Sequence, residues 1–271
     1  MNLQFFEPIA PLKGYIDKIW VFESNCGLPQ DDMRMLVPDG RLLLLIPYGN
    51  GIIGKMGGRD HLVKENSMSL VGVTDLPSVV DGQYAGALNI IGVDFTPGGA
   101  YRFFHWRMKD IKYKVTSLAD IIGQAVHEIE ERIAVAINSR QKVQVVQDFL
   151  WNLFLRKSTD PVFEYCIQTI NASKGAITIK QLEQDTGYSS RWLNRKFEDC
   201  LGISPKSYSS IARFQFYYQS LLSNASRILK HKEFYDHYYD ESHFIREFKR
   251  FTGMPPAKLE TAINNFGKLF Q

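Results

Sequence analysis

The sequence predicts an α+β chain: a β-rich barrel or sandwich first, a helical connector next, and an all-α part with two helix-turn-helix units last. Three observations carry this. Short apolar runs between glycine-rich turns fill residues 1–110. From residue 117 the apolar spacing changes to that of a helix. Near the C-terminus a stretch repeats itself 51 residues further on, so that Tyr188, Arg195, Phe197, Gly202 and Pro205 fall on Tyr239, Arg246, Phe248, Gly253 and Pro256. The division expected is residues 1–115, 116–158 and 159–271.

A chain of 271 residues with 45% hydrophobic content can fill two cores. The longest apolar run of the first half, Leu42 to Ile46, sits between Arg41 and Pro47, which suits a strand and no membrane span. No charged region precedes a hydrophobic one at the N-terminus, so no signal peptide is expected and a cytoplasmic location is. Cys26, Cys166 and Cys200 are odd in number and far apart, which fits a reducing compartment and neither a disulfide framework nor a zinc cluster. The net charge is only +3, but it is unevenly divided. Residues 171–271 hold 15 Lys and Arg against 10 Asp and Glu, and residues 1–170 hold 17 against 19. The basic excess coincides with the repeat, as a phosphate-binding surface requires.

In chain order, Tyr15–Phe22 is expected to open as a short amphipathic helix leading into a strand. Arg41–Pro47, Ser69–Val73 and Leu88–Phe95 are apolar runs bounded by Pro, Gly, Asn or Asp, and are expected as strands. Half of the chain's 20 glycines lie from Gly40 to Gly92, where tight turns are needed. Pro97-Gly98-Gly99-Ala100 is either a backbone anion nest or a plain turn into a helix. A cupin-like barrel would suit this half, but a cupin metal site needs histidines and a carboxylate converging on one cavity. His61 and His105 are far apart and His127 lies on an expected surface helix, so no metal or cofactor is expected. There is no nucleophile elbow, phosphate loop or paired-carboxylate motif, which argues against an enzyme.

Residues 117–137 are expected as one helix, started by Ser117 with Asp120 and striped by Leu118, Ile122, Ala125, Ile129, Ile133 and Ala136. After Asn138-Ser139-Arg140 a second helix carries Val145, Val146, Phe149, Leu150, Leu153 and Phe154. Ser158-Thr159-Asp160-Pro161 marks a boundary, with Asp160 as N-cap and Pro161 at the first helical position. Val162, Cys166 and Ile170 line the next helix, which Asn171–Gly175 ends. A short helix capped by Thr178 then runs to Gly187, which permits a tight turn. Ser204-Pro205 starts a longer helix to about Leu222, with Tyr208, Ile211, Ala212 and Leu222 facing inward.

Within the repeat, Leu193 and Phe197 are four apart, as are Phe244 and Phe248, so each pair lies on one helical face. Arg195 and Arg246 lie between them in sequence and therefore turn outward. Gly202 and Gly253 end the two helices. Helix, glycine turn, then a helix with an exposed polar face is the helix-turn-helix pattern. Residues 171–260 resemble the DNA-binding domain of AraC/XylS-type transcriptional regulators, and Tyr238 to Gly253 looks very like that family's signature. Val37–Arg41 and Gly92–Phe104 resemble motifs of an uncharacterised N-terminal domain found on some of these regulators.

The resemblance implies a sequence-specific regulator with a β-rich sensor ahead of the DNA-binding part, controlled by a small-molecule effector or by a partner protein. It implies double-stranded DNA as partner, a homodimer through the connector helices (which could equally only cover the sensor core), and contact with RNA polymerase. Matched position by position, Ser190, Arg191, Asn194 and Arg195 of the first unit and Glu241, Ser242, Ile245 and Arg246 of the second would face bases. Arginine can grip guanine and asparagine adenine with paired hydrogen bonds. Lys196, Lys206, Lys249 and Arg250 suit phosphates. Trp192 packs either on the nucleic-acid backbone or into the core. Departures from the family pattern are Glu183 and Thr186 in the first unit, and Lys232, Glu233, Asp236 and His237 in the second, where Phe234, Tyr235 and Tyr238 could supply the packing instead.

Overall fold

Strands that carry apolar side chains on both faces must be covered on both sides, and the first third of this chain is built from such strands. The computed structural model describes residues 1–29, 31–81, 86–104, 106–154, 160–223 and 240–270. Its strands are β1 (Asn2–Phe6), β2 (Ile16–Ser24), β3 (Met35–Leu36), β4 (Leu43–Gly49), β5 (Ile52–Met56), β6 (Arg59–Val63), β7 (Ser69–Val71), β8 (Ser78–Asp81), β9 (Leu88–Phe95) and β10 (Val115–Ser117). Among the described residues they form a six-stranded sheet, β1-β2-β9-β4-β7-β10, and a four-stranded sheet, β3-β8-β5-β6. Pairing is antiparallel throughout, with Trp20 opposite Gly92 and Leu44 opposite Val93.

One face of the large sheet, with Ile19, Val21, Leu44, Ile46, Ile91 and Val93, packs on the connector helices. The other, with Trp20, Phe22, Leu88 and Ile90, looks across at Ile52 and Val63 of the small sheet. The expected opening helix in Tyr15–Phe22 is therefore absent, because β2 is extended from Ile16 onward. Ile16, Ile19, Trp20, Val21 and Phe22 are all buried, since both sides of the strand are covered. That two-sided pattern does not alternate, and so mimics a helix in sequence.

The helix expected over 117–137 is two: α1 (Leu118–Ile122) and α2 (Ala125–Val135). Gly123 at φ +89 breaks it, and the buried stripe restarts one position later, at Val126. The buried Glu130 of α2 accepts from the backbone N–H of Met68 at 2.7 Å, which ties the helix to the sheet. Next, α3 (Ser139–Phe154) buries Val146, Phe149 and Leu150 as expected, with Leu153 and Phe154 half-buried. Pro97–Ala100 is a turn into a short 3-10 helix, Gly99–Arg102. The Gly99 and Tyr101 N–H groups donate to Thr96 O and Gly98 O at 2.6 and 3.2 Å, as in a plain turn, so they are not left for an anion.

The remaining helices are α4 (Pro161–Ala172), α5 (Ile179–Thr186), α6 (Ser190–Cys200), α7 (Pro205–Ser223), α8 (Glu241–Thr252), α9 (Pro256–Glu260) and α10 (Asn265–Leu269). Their caps are those expected: Asp160 accepts from Phe163 N–H at 3.0 Å, and Thr178 forms a reciprocal capping box with Gln181. The inward face of α7 is wider than expected, adding Phe214, Tyr217, Tyr218 and Leu221 to Tyr208 and Ile211. Apolar packing runs continuously from the large sheet through the connector into α4–α8. Cys26 is exposed, Cys166 and Cys200 are buried, and no disulfide joins them among the described residues. No helix among the described residues is long and apolar enough to cross a membrane.

Candidate nucleic-acid interface

The first unit consists of α5, a turn at Gly187–Ser189, and α6. Gly187 takes φ +73, a left-handed conformation that lets the chain reverse between the helices. Ser189 then caps α6 by accepting from Trp192 N–H at 3.4 Å. The two departures from the family pattern have local work here. The Glu183 carboxylate accepts from the Ser190 N–H at the start of α6. Thr186 Oγ1 donates to Leu182 O at 2.6 Å and accepts from Tyr188 N–H at 3.3 Å, which closes the turn.

Leu193 and Phe197 are buried, so the opposite side of α6 faces solvent. Arg191, Asn194 and Arg195 are exposed there and Ser190 is half-buried. The Arg195 side chain is 83% exposed and 3.9 Å from Asp199 one turn on, a weak surface pair that leaves it available. Trp192 is half-buried, packing against the core and stacking on Tyr188 at 4.1 Å between ring centroids. Lys196 leans inward onto the Asp160 carboxylate, with its ammonium 5.6 Å from the Trp192 ring centroid.

In the second unit α8 repeats this arrangement. Asp240 caps it, accepting from His243 N–H at 2.6 Å, and Gly253 ends it at φ +74. Phe244, Phe248 and Phe251 are buried, whereas Glu241, Ser242, Ile245, Arg246 and Lys249 are exposed. Glu247 faces Arg213 of α7 at 3.7 Å, which fixes the helix against the linking one. Lys206 is exposed in the first turn of α7. Tyr239 and the divergent positions Lys232, Glu233, Phe234, Tyr235, Asp236, His237 and Tyr238 lie outside the described residues, as does His105.

Lys206 thus stands on α7 and Lys196 turns inward, whereas the base-facing candidates divide between two helices, α6 and α8. What the sequence reading missed is how firmly the first half of the chain holds both. Arg250, half-exposed on α8, pairs with the buried Asp75, which also accepts from the Tyr113 hydroxyl. Lys109 reaches Asp199 of α6 at 3.8 Å. The Gln215 side chain of α7 donates to Pro38 O at 2.7 Å, and a Cβ on Gly40 would meet the Tyr208 ring at 2.8 Å. The Val37–Arg41 and Gly92–Phe104 motifs are therefore docking surfaces, for α7 and, through Gly98, for Phe163 of α4.

Comparison with known proteins bears on both halves. Residues 182–262 match a helix-turn-helix domain. The match is to the AraC type of that domain. Residues 4–117 match a domain of unknown function, DUF6597. The AraC-type domain is that of DNA-binding transcription regulators. No curated protein matches the chain. Among solved structures it is similar to ToxT from Vibrio cholerae, at 9% identity over 89% of this chain and 97% of that one, with a TM-score of 0.48. A ToxT structure bound to (E)-4-(8-methylnaphthalen-1-yl)but-3-enoic acid gives 9% identity, 89% and 98% coverage, and the same TM-score, 0.48. The AraC-like transcriptional activator CuxR gives 13% identity, 83% and 86% coverage, and a TM-score of 0.27.

Proposed function

We propose that the chain is a sequence-specific transcription regulator that acts as a homodimer in the cytoplasm and contacts RNA polymerase, with its hold on DNA set by a small molecule in residues 1–115. One observation carries the DNA reading: α6 and α8 each bury an apolar pair and turn an arginine outward from the same place in the repeat. Arg195, Arg191 and Asn194 read bases, with Ser190 beside them, and Arg246 does so from α8 among Glu241, Ser242 and Ile245. Lys206 and Lys249 meet phosphates directly. Lys196 and Arg250 reach phosphates only by exchanging Asp160 and Asp75.

The linking helix α7 spans 19 residues. That is roughly 28 Å at about 1.5 Å per residue. With the flanking turns it suits recognition helices one DNA turn apart, near 34 Å. For the first half, a ligand is favoured over a partner protein because its core is not filled: a cavity of about 180 Å³ remains between the two sheets, with Trp20, Phe266 and Phe270 on its walls.

The test is genome-wide mapping of bound sites, followed by footprinting of the full chain on a mapped site. Protection of two major-groove segments about 10 base pairs apart is expected, lost when five base pairs are inserted between them. Arg195→Ala should cost about 1–3 kcal/mol of binding and relax specificity at one base pair. Two-segment protection that survives the insertion, or unchanged specificity in Arg195→Ala, overturns the reading.

A further inference from the structure

The cavity between the sheets has a wall from an unexpected place. After α9 the chain returns to the first half. Asn264 trades two hydrogen bonds with the backbone of Met35, at 2.8 and 2.9 Å, and Phe266 N–H donates to Asp32 at 3.0 Å. These bonds seat α10 so that Phe266 packs on Phe22 and Phe270 lies edge-on to Trp20, 4.7 Å between centroids. Phe266 is buried and Phe270 half-buried, so Phe270 is the more movable part of this wall.

Much of the rest of the lining is apolar, with Leu43 and Leu45 of β4, Val63 of β6 and Val80 of β8, while the Asp94 carboxylate on the wall is already held by Lys18 and by Trp20 Nε1. Gly92, whose Cβ would strike the Trp20 ring, lets that ring lie flat across β9. Its volume, about 180 Å³, is that of a single-ring ligand, since a dry apolar cavity of about 150 Å³ takes up benzene. The cations on the wall already face carboxylates: Lys55 has Asp60 at 3.6 Å, and Arg41 has Asp17 and Asp39. Nothing on the wall therefore calls for an anion. One polar atom is different. Nε2 of His61, which lines the cavity from β6, is buried without a hydrogen-bond partner among the described residues. A buried nitrogen in that condition costs free energy until something bonds to it. A hydroxyl suits either tautomer, because it both donates and accepts.

We propose that this cavity binds a neutral single-ring molecule bearing a hydroxyl, of the phenol class, with the hydroxyl on His61 Nε2 and Phe270 as the door. The proposal rests on the effector reading above and names its ligand class. Neutral and ring-sized follow from the lining, the hydroxyl from His61, and the door from the half-exposed Phe270.

The test is calorimetric titration of the full chain with p-cresol and with toluene, which share a ring and differ in the hydroxyl. One saturable site is expected, with p-cresol bound about tenfold more tightly, the size of one well-made hydrogen bond. His61→Leu should bring the two affinities to within about twofold while toluene still binds. Phe270→Ala should admit 2-naphthol, which the parent chain excludes. Absence of saturable p-cresol binding overturns the proposal, as does a p-cresol preference that survives His61→Leu. Operator binding, measured on the same samples, separates the two levels. Tight p-cresol binding without any change in operator affinity sinks the effector reading and leaves the site standing. Normal operator binding without p-cresol binding sinks the site alone.

Discussion

Asp94, next to last in β9, sits in a place where a carboxylate is poorly solvated. Trp20 Nε1 donates to it at 3.3 Å and Lys18 lies 3.4 Å away. Burial outweighs Lys18 and pushes the carboxyl up to about 6, against an ordinary value of 3.8. Because the folded value is the higher one, the native state holds the extra proton. Stability is therefore fully present below pH about 4 and is lost as pH rises to about 6, by roughly 3 kcal/mol. Asp94→Asn should flatten that slope in urea titrations at several pH values; a slope that persists places the titration elsewhere. Burial of this kind was not legible, since Asp94 reads as one of many scattered acids. The caps were legible, because Asp160 to Phe163 and Thr178 to Gln181 are contacts of three residues. Arg195 and Arg246 were legible for a similar reason: a helical period places them opposite Leu193/Phe197 and Phe244/Phe248. His61 was noted only as a poor metal ligand, and its orphaned nitrogen depends on which strands face it.

At the scale of elements, β9 matched its sequence run end to end because proline, glycine and asparagine punctuate it locally. Where two layers cover one element, as with β2, the pattern loses its period and misleads. Where a single glycine resets the phase, as at Gly123, a stripe drawn through it misplaces the next position, the exposed Ala125, although Ile133 still lands inside. The glycine whose role no local pattern announces is Gly98. It is left-handed at φ +78, and Phe163 occupies the place of its missing side chain. Gly98→Ala should therefore combine backbone strain with a clash at the α4 docking point and lower stability by at least ~2 kcal/mol. Equilibrium urea unfolding checks this, and a loss below about half that size means the two elements separate easily.

For the whole molecule, the two halves share carboxylate and arginine across their boundary, and under the proposed reading DNA would compete for the same arginine. Asp75→Asn keeps an acceptor for the Tyr113 hydroxyl but gives up the charge that holds Arg250. The full chain carrying it should bind its operator a few-fold more tightly at low salt, with the salt slope steeper by about 0.9, the mark of one more phosphate contact. An unchanged slope means that Arg250 stays away from the duplex. The return of the C-terminal segment also bears on how the molecule is made. Asn264 and its partner Met35 are 229 residues apart in sequence. At about 5–20 residues per second, a ribosome needs roughly 10–50 s to synthesise the stretch between them. For that time the early strands exist with Trp20 and Phe22 uncovered at the mouth of their own core. An emerging chain thus offers nascent-chain chaperones a defined apolar patch, one that the finished protein conceals beneath two phenylalanines.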